Sequence, residues 1–167
     1  MSNEGRNAYV TQQITDALIC LLADNELQQL SVSQLCAHAG VGRASFYRNF
    51  QSKEDILKIH IRALLQDVID KLKKEEGKPL SEQLGILFSH LIQHRDFYSL
   101  IHRRNLMNLF KDVFMEICGA KPEYAMAEAY AAAFASYALY GWIEVWFDRG
   151  MQESAEEITA LFQSHGL

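Results

Sequence analysis

Between Gly40 and Lys53 the chain carries three cations, Arg43, Arg48 and Lys53, and no acid. Arg43, Ala44 and Ser45 follow a glycine turn, and Tyr47 stands beside Arg48. Arginine can pair bidentately with guanine, serine can bond several bases and alanine can touch a thymine methyl. The same polar groups can instead only position a helix on phosphate, the commoner fate of such contacts. Lys53 opens a helix, where free N–H groups and the helix dipole already favour an anion, although a solvated surface lysine fits that place too. Ser31 and Ser33 open the helix before, and Ser31 is at least as well suited to capping. The whole chain has a net charge of −5. That figure bears on solubility more than on a local footprint, so one small basic face meeting phosphate is compatible with it. With few phosphates neutralised, non-specific affinity should be modest.

Other reactive types form no catalytic pattern. His90 and His94 are four apart, but no third ligand is placed with them, so no metal is expected. His102, Arg103 and Arg104 form a cationic cluster, explained by an acidic ligand or, more conservatively, by a surface salt-bridge network. Cys20, Cys36 and Cys118 show no C-x-x-C spacing and read as small buried residues. There is no Gly-rich phosphate loop, no G-x-S-x-G and no H-E-x-x-H. The acid pairs Glu75-Glu76 and Glu156-Glu157 fall at surface or cap positions. An enzyme and a cofactor are therefore not expected. No apolar run reaches bilayer length, and Met1 to Asn7 is polar without a signal-peptide pattern, so a cytoplasmic protein with no membrane role is expected.

Positioning the basic window requires helices, and the hydrophobic period is helical almost throughout. The spacing predicts helices over 8–22, 32–39, 43–50, 53–76, 80–94, 97–102, 105–118, 123–149 and 155–163, an all-α fold of about nine helices. Ser31 with Gln34, Ser52 with Asp55 and Ser154 with Glu157 have capping spacing. Glu75 to Pro79 reads as a linker, and Gly150 as a C-terminal glycine. Two short helices around Gly40-Val41-Gly42 have the form of a helix-turn-helix.

The stretch Leu30 to Leu57 resembles the signature of TetR/AcrR-type regulators. The Ala39-Gly40-Val41 turn, Phe46-Tyr47, Phe50 and Ser52-Lys53-Glu54 fall in that family's order and spacing. Asp96-Phe97-Tyr98 and Gly141 to Trp146 are similar to the short TetR-like activators of dihydroxyacetone kinase operons. The resemblance implies a three-helix DNA-binding domain over 1–53 and a ligand-binding and dimerisation domain over 54–167. It implies contacts to double-stranded DNA from Ser31, Ser33, Arg43, Ala44, Ser45, Tyr47, Arg48 and Lys53. Gly42 departs from the pattern, because many members carry serine or threonine there. The implied function is sequence-specific repression as a homodimer on a pseudo-palindromic operator, modulated by a small-molecule inducer. The alternative is an interaction module acting through a protein partner.

In the C-terminal half, eight alanines crowd Ala125 to Ala138. Tyr130, Phe134, Tyr137, Gly141 and Val145 form a stripe at steps of four, three, four and four, and Trp142 and Trp146 form another. A helix apolar nearly all round needs partners on several sides. Tyr130, Phe134, Trp142, Trp146, Ile158, Leu161 and Phe162 are thus expected at a dimer interface, with other faces of the same helices packed in an intrachain core. The family implies an inducer pocket, with Phe88, His90, His94, Phe97, Tyr98, Tyr137 and Tyr140 as candidate lining. Simple core packing is the alternative for each.

Overall fold

A computed structural model describes residues 3–75, 77 and 80–164. Its described residues form nine α-helices and no strand: α1 Asn3–Leu22, α2 Val32–His38, α3 Arg43–Asn49, α4 Lys53–Lys74, α5 Leu80–Gln93, α6 Arg95–Arg103, α7 Met107–Cys118, α8 Met126–Asp148 and α9 Ala155–Ser164, with a 3₁₀ turn at Leu27–Gln29 after α1. The expected linker residues Glu76, Lys78 and Pro79 lie outside the described residues.

Local chemistry accounts for most boundaries. Ser31 Oγ accepts from the Gln34 amide at 3.2 Å while Gln34 Oε1 accepts from the Ser31 amide at 2.9 Å, a full capping box on α2. Ser52 caps α4 through the Asp55 amide at 3.1 Å. Ser154 and Glu157 bond reciprocally at the head of α9, at 3.2 and 2.8 Å. Gly40 ends α2 with φ +65°, and the Val41 amide then reaches back to the Cys36 carbonyl at 3.0 Å. Only glycine adopts that backbone cheaply, so the turn between the two short helices is built on it.

Four helix starts differ from those the spacing predicts, α6 among them at Arg95 rather than Phe97. α1 begins at Asn3 rather than Ala8. α7 begins at Met107 rather than Asn105, because Asn105 adopts φ +55° to close α6 and hands the Leu106 amide to the Ile101 carbonyl at 2.8 Å. α8 begins at Met126 rather than Glu123, with Ala125 extended as its N-cap just past Pro122.

One continuous apolar core runs the length of the molecule. At one end Ile14, Leu18, Leu35 and Phe46 bring α1, α2 and α3 together. At the other, Phe88, Tyr98, Phe110, Ile143 and Trp146 join α5 to α8. α4 belongs to both ends: it packs on α1, α5 and α7, with Ile56, Leu57, Ile61, Leu65 and Val68 buried in succession. Lys58–Asp112 and Arg62–Glu116, at 2.7 and 2.6 Å, link α4 to α7 across an exposed edge, where such pairs add at most about 1 kcal/mol each.

Candidate nucleic-acid interface

α3 is seven residues long and has two faces. Phe46 and Phe50 turn inward, 0% and 3% exposed, with ring centroids 6.0 Å apart. Arg43, Ala44, Tyr47 and Arg48 are exposed, and at this spacing they share one side of the helix. Tyr47 is 65% exposed and lies edge-on to Phe46 at 5.2 Å, so its buried neighbour fixes the ring without covering the hydroxyl. Arg48 Nη2 donates to Ser45 Oγ at 3.3 Å, and Asn49 Nδ2 donates to the Ser45 carbonyl at 2.8 Å. Ser33 and Ser31 are exposed at the head of α2, with Ser31 engaged in its cap. Gly42 precedes α3 in an extended conformation, φ −75° and ψ 147°, without a side-chain cap. Six of the eight expected contact residues are thus exposed on the helix-turn-helix unit, while Ser45 and Lys53 are half-buried.

Lys53 requires a correction. Its ammonium is not free at the start of α4 but half-buried, donating to the carbonyls of Leu27 and Leu30. Within the turn the Leu27 carbonyl also accepts from the Leu30 amide at 3.3 Å, and the Lys53 cation adds a bond to each of the two carbonyls. Two of its three N–H donors are thereby used, leaving one for any anion.

Arg104, placed by sequence only in a cationic cluster, holds a more specific position. Its Nε donates to the Leu22 carbonyl at 2.6 Å, its Nη1 to Glu26 Oε1 at 2.8 Å, and its Nη2 to the Ala23 carbonyl. These carbonyls end α1, where a cation also meets the negative end of the helix dipole. Arg104 therefore bolts the end of α6 to the helix-turn-helix unit. His102 pairs with Asp148 at 3.0 Å and Arg95 reaches the Gly150 carbonyl at 2.7 Å, so the same short helix is also tied to the end of α8. No sequence spacing connects Arg104 with Leu22 and Glu26; the contact is purely tertiary.

The expected pocket residues divide. Phe88, Phe97, Tyr98 and Tyr140 are buried and packed on one another's neighbours: Phe88 on Trp146 at 5.1 Å, Tyr98 on Phe110 at 5.6 Å, Phe97 on Tyr98 at 5.4 Å, Tyr140 on Phe114 at 6.3 Å. Tyr137 does not belong with them. It is 59% exposed on the outer face of α8, with Lys111 Nζ 5.6 Å from its ring. His90 is 2% exposed, its ring 4.5 Å from that of half-buried His94 and its Nδ1 3.6 Å from Asp67 Oδ2, too far for a hydrogen bond. Neither His90 ring nitrogen nor the Tyr98 hydroxyl has a hydrogen-bond partner among the described residues. Burial, then His94 and Lys71, push the His90 pKa down to about 4 against the opposing pull of Asp67, so the ring is neutral at pH 7. Burial raises the Tyr98 hydroxyl far above its ordinary value. His60 joins this group from α4, packed edge-on to Phe97 at 4.7 Å, its pKa also lowered chiefly by burial. Among the described residues no three His, Cys, Asp or Glu side chains converge as a metal site requires.

The expected interface residues divide as well. Tyr130 and Phe134 are 75% and 73% exposed, and Leu161 is 45% exposed. Trp146, Ile158 and Phe162 are corrected to intrachain core: Trp146 is 1% exposed and its indole donates to the Glu153 carbonyl at 3.1 Å, while Ile158 and Phe162 face inward from α9. Trp142 is half-buried against Phe162, with centroids 4.6 Å apart. α9 therefore spends its apolar face on its own subunit, chiefly on α5.

Comparison with known proteins gives the following. Residues 14–58 match the model described as bacterial regulatory proteins, tetR family, and residues 78–165 match one described as a transcriptional regulator C-terminal region. The HTH-type transcriptional regulator YxbF of Bacillus subtilis is 27% identical over 120 residues, 62% of this chain and 30% of that protein. A fatty acid metabolism regulator protein of the same organism is 30% identical over 79 residues, 46% and 41% of the two chains. The match thus spans less than half the length of these curated relatives. Two solved structures share the fold. The dihydroxyacetone kinase operon activator DhaS gives a TM-score of 0.55 at 17% identity over 93% of this chain and 92% of its own. The regulator FadR from Bacillus subtilis in complex with stearoyl-CoA gives 0.54 at 19% identity over 92% and 94%. No helix among the described residues is long and apolar enough to cross a membrane.

Proposed function

Because the chain belongs to the TetR family of bacterial transcriptional regulators, we propose that it represses transcription by binding a pseudo-palindromic operator as a homodimer, and that a small-molecule effector weakens this binding. The observation that carries the reading is the outer face of α3, where Arg43, Tyr47 and Arg48 stand exposed over a rigid Phe46–Phe50 base. In this reading Arg43, Ala44 and Ser45 meet base edges, while Tyr47, Arg48, Ser31 and Ser33 hold the backbone. Lys53 acts mainly by fixing α4 to the turn after α1, with its remaining donor available to a phosphate. The 1–53 unit reads DNA, and the 54–167 unit binds the effector and the second copy.

The effector site is proposed at Phe88, His90, His94, Phe97, Tyr98 and Tyr140, where the unpartnered polar atoms would find hydrogen bonds. A long-chain acyl-CoA is the first candidate, since a solved protein of the same fold holds stearoyl-CoA. A ligand moves the equilibrium only by its differential affinity for the two arrangements.

Fluorescence anisotropy on DNA from upstream of the protein's own coding sequence tests the reading. Wild type should bind, Tyr47→Ala should bind at least about tenfold more weakly, the loss of one charge-assisted contact, and stearoyl-CoA should lower wild-type affinity. Equal binding by wild type and Tyr47→Ala would count against the assigned face. Tight DNA binding that no acyl-CoA or other small ligand shifts would favour regulation through a protein partner.

A further inference from the structure

Gly141 lies in the middle of a 23-residue helix, where glycine costs about 1 kcal/mol relative to alanine. Nothing in its own subunit requires glycine there. Its φ is not positive, and a Cβ added to it would meet no heavy atom within 4 Å. It forms part of the floor of a groove of about 610 Å³ between α8 and α9, together with Tyr137, Ala138, Val145 and Leu161. Earlier on the same helix, Met126, Tyr130 and Phe134 project with 78%, 75% and 73% of their surface exposed.

Projection and groove share one stripe. At 100° per residue, Tyr130, Phe134, Tyr137, Gly141 and Val145 fall within roughly 80° of the helix circumference. The stripe is also symmetric about the point between Tyr137 and Ala138, with Phe134 and Gly141 equidistant from it and Tyr130 and Val145 likewise. A twofold axis through that point, crossing two antiparallel copies of α8, sets Phe134 opposite Gly141 and Tyr130 opposite Val145. The same operation sets Glu128, Glu144 and Asp148 opposite Phe147, Ala131 and Ala127, so no like charges meet. A shift of one heptad sets Phe134 either on Asp148 or on its own copy. The area is adequate as well. At roughly 150–250 Å² per large side chain, the exposed parts of Met126, Tyr130, Phe134, Tyr137, Val145 and Leu161 sum to about 750 Å² per copy, close to the ~800 Å² of an ordinary interface. Such a patch is larger than most monomers expose.

We propose that Gly141 is the socket for Phe134 of the partner subunit, two such contacts fixing the register in which α8 crosses its copy. The proposal rests on the homodimer reading and deepens it. In the absence of Cys20 and Cys118, each changed to serine, the double variant Phe134→Cys/Gly141→Cys should oxidise to a covalent dimer, and Phe134→Cys alone should not. Sedimentation analysis of Gly141→Leu should show the dimer dissociation constant raised on the order of 100-fold, with circular dichroism retaining the helical content. Adding Phe134→Ala should restore most of the dimer by making room for the leucine. A wild-type chain that is monomeric at micromolar concentration would sink the homodimer reading itself. A dimer in which Phe134→Cys alone cross-links, or in which Gly141→Leu associates like wild type, would leave the dimer standing and overturn this register. The cysteine pair adds no bulk, so it reads the register even where the leucine variant does not fold.

Discussion

The outer face of α3 and the outer face of α8 both display exposed aromatic side chains, yet their surroundings differ in charge and in side-chain size. On α3 one aromatic, Tyr47, stands between Arg43 and Arg48. On α8, Tyr130 and Phe134 stand among alanines, with no cation in the stripe. A phenol between guanidinium groups suits a phosphate, whereas rings flanked by alanines beside a groove suit another apolar surface. Exposure alone therefore says little; the charge and size of the flanking residues decide which partner an aromatic serves.

Two adjacent residues give the largest test of that contrast. Phe46→Ala empties the base of α3 and should cost about 3–5 kcal/mol in urea unfolding, taking DNA binding with it. Tyr47→Ala should leave the unfolding midpoint within about 0.5 kcal/mol of wild type while lowering operator affinity. A comparable loss of stability in both would erase the distinction between base and reading face.

The link between the two regions comes next. Arg104→Ala removes three donors from the end of α1 and should destabilise by about 1–3 kcal/mol, measured by urea unfolding. Arg104→Lys should recover only part of this, because an ammonium cannot span both carbonyls and Glu26 at once. Full recovery with lysine would show that charge alone is needed at the end of α1.

The third test is of the buried histidine of α5. His90 is held neutral, its pKa about 4 when folded against about 6.5 when unfolded. As pH falls from 6.5 towards 4, the unfolded chain takes up a proton that the folded one refuses, so stability drops by up to about 1.4 kcal/mol per pH unit. Above pH 7 this effect vanishes. Unfolding midpoints at pH 7 and 5 should differ more for wild type than for His90→Gln, and equal differences would show that His90 is not the titrating group. The smallest effect belongs to the turn. A Cβ added at Gly42 meets no heavy atom within 4 Å and a serine there supplies the missing cap, so thermal unfolding of Gly42→Ser should show a gain of a few tenths of a kcal/mol.

The order of the helices in the N-terminal third, and their ends from Leu22 to Asn49 to within one residue, were legible in sequence because short-range rules set them, whereas the start of α1 at Asn3 was not. The caps at Ser31 and Ser52, the Gly40 turn and the inward Phe46 and Phe50 all follow from spacing within a single turn or helix. The same rules identified the α8 stripe. They did not separate Tyr137 from Tyr140, three residues apart on one apolar helix, because α8 has no polar face to show which side turns inward. Nor did they show that Trp146, Ile158 and Phe162 bury against their own subunit, since an apolar residue fits an internal core and an interface equally well. Lys53 and Arg104 are the sharpest cases. Sequence identified both as cations, but only the folded chain brought the carbonyls of Leu22, Ala23, Leu27 and Leu30 within their reach. Helix period and capping act over four residues and are written in the chain. The partners of a long charged side chain are chosen by packing across as many as 82, and only the tertiary structure decides them.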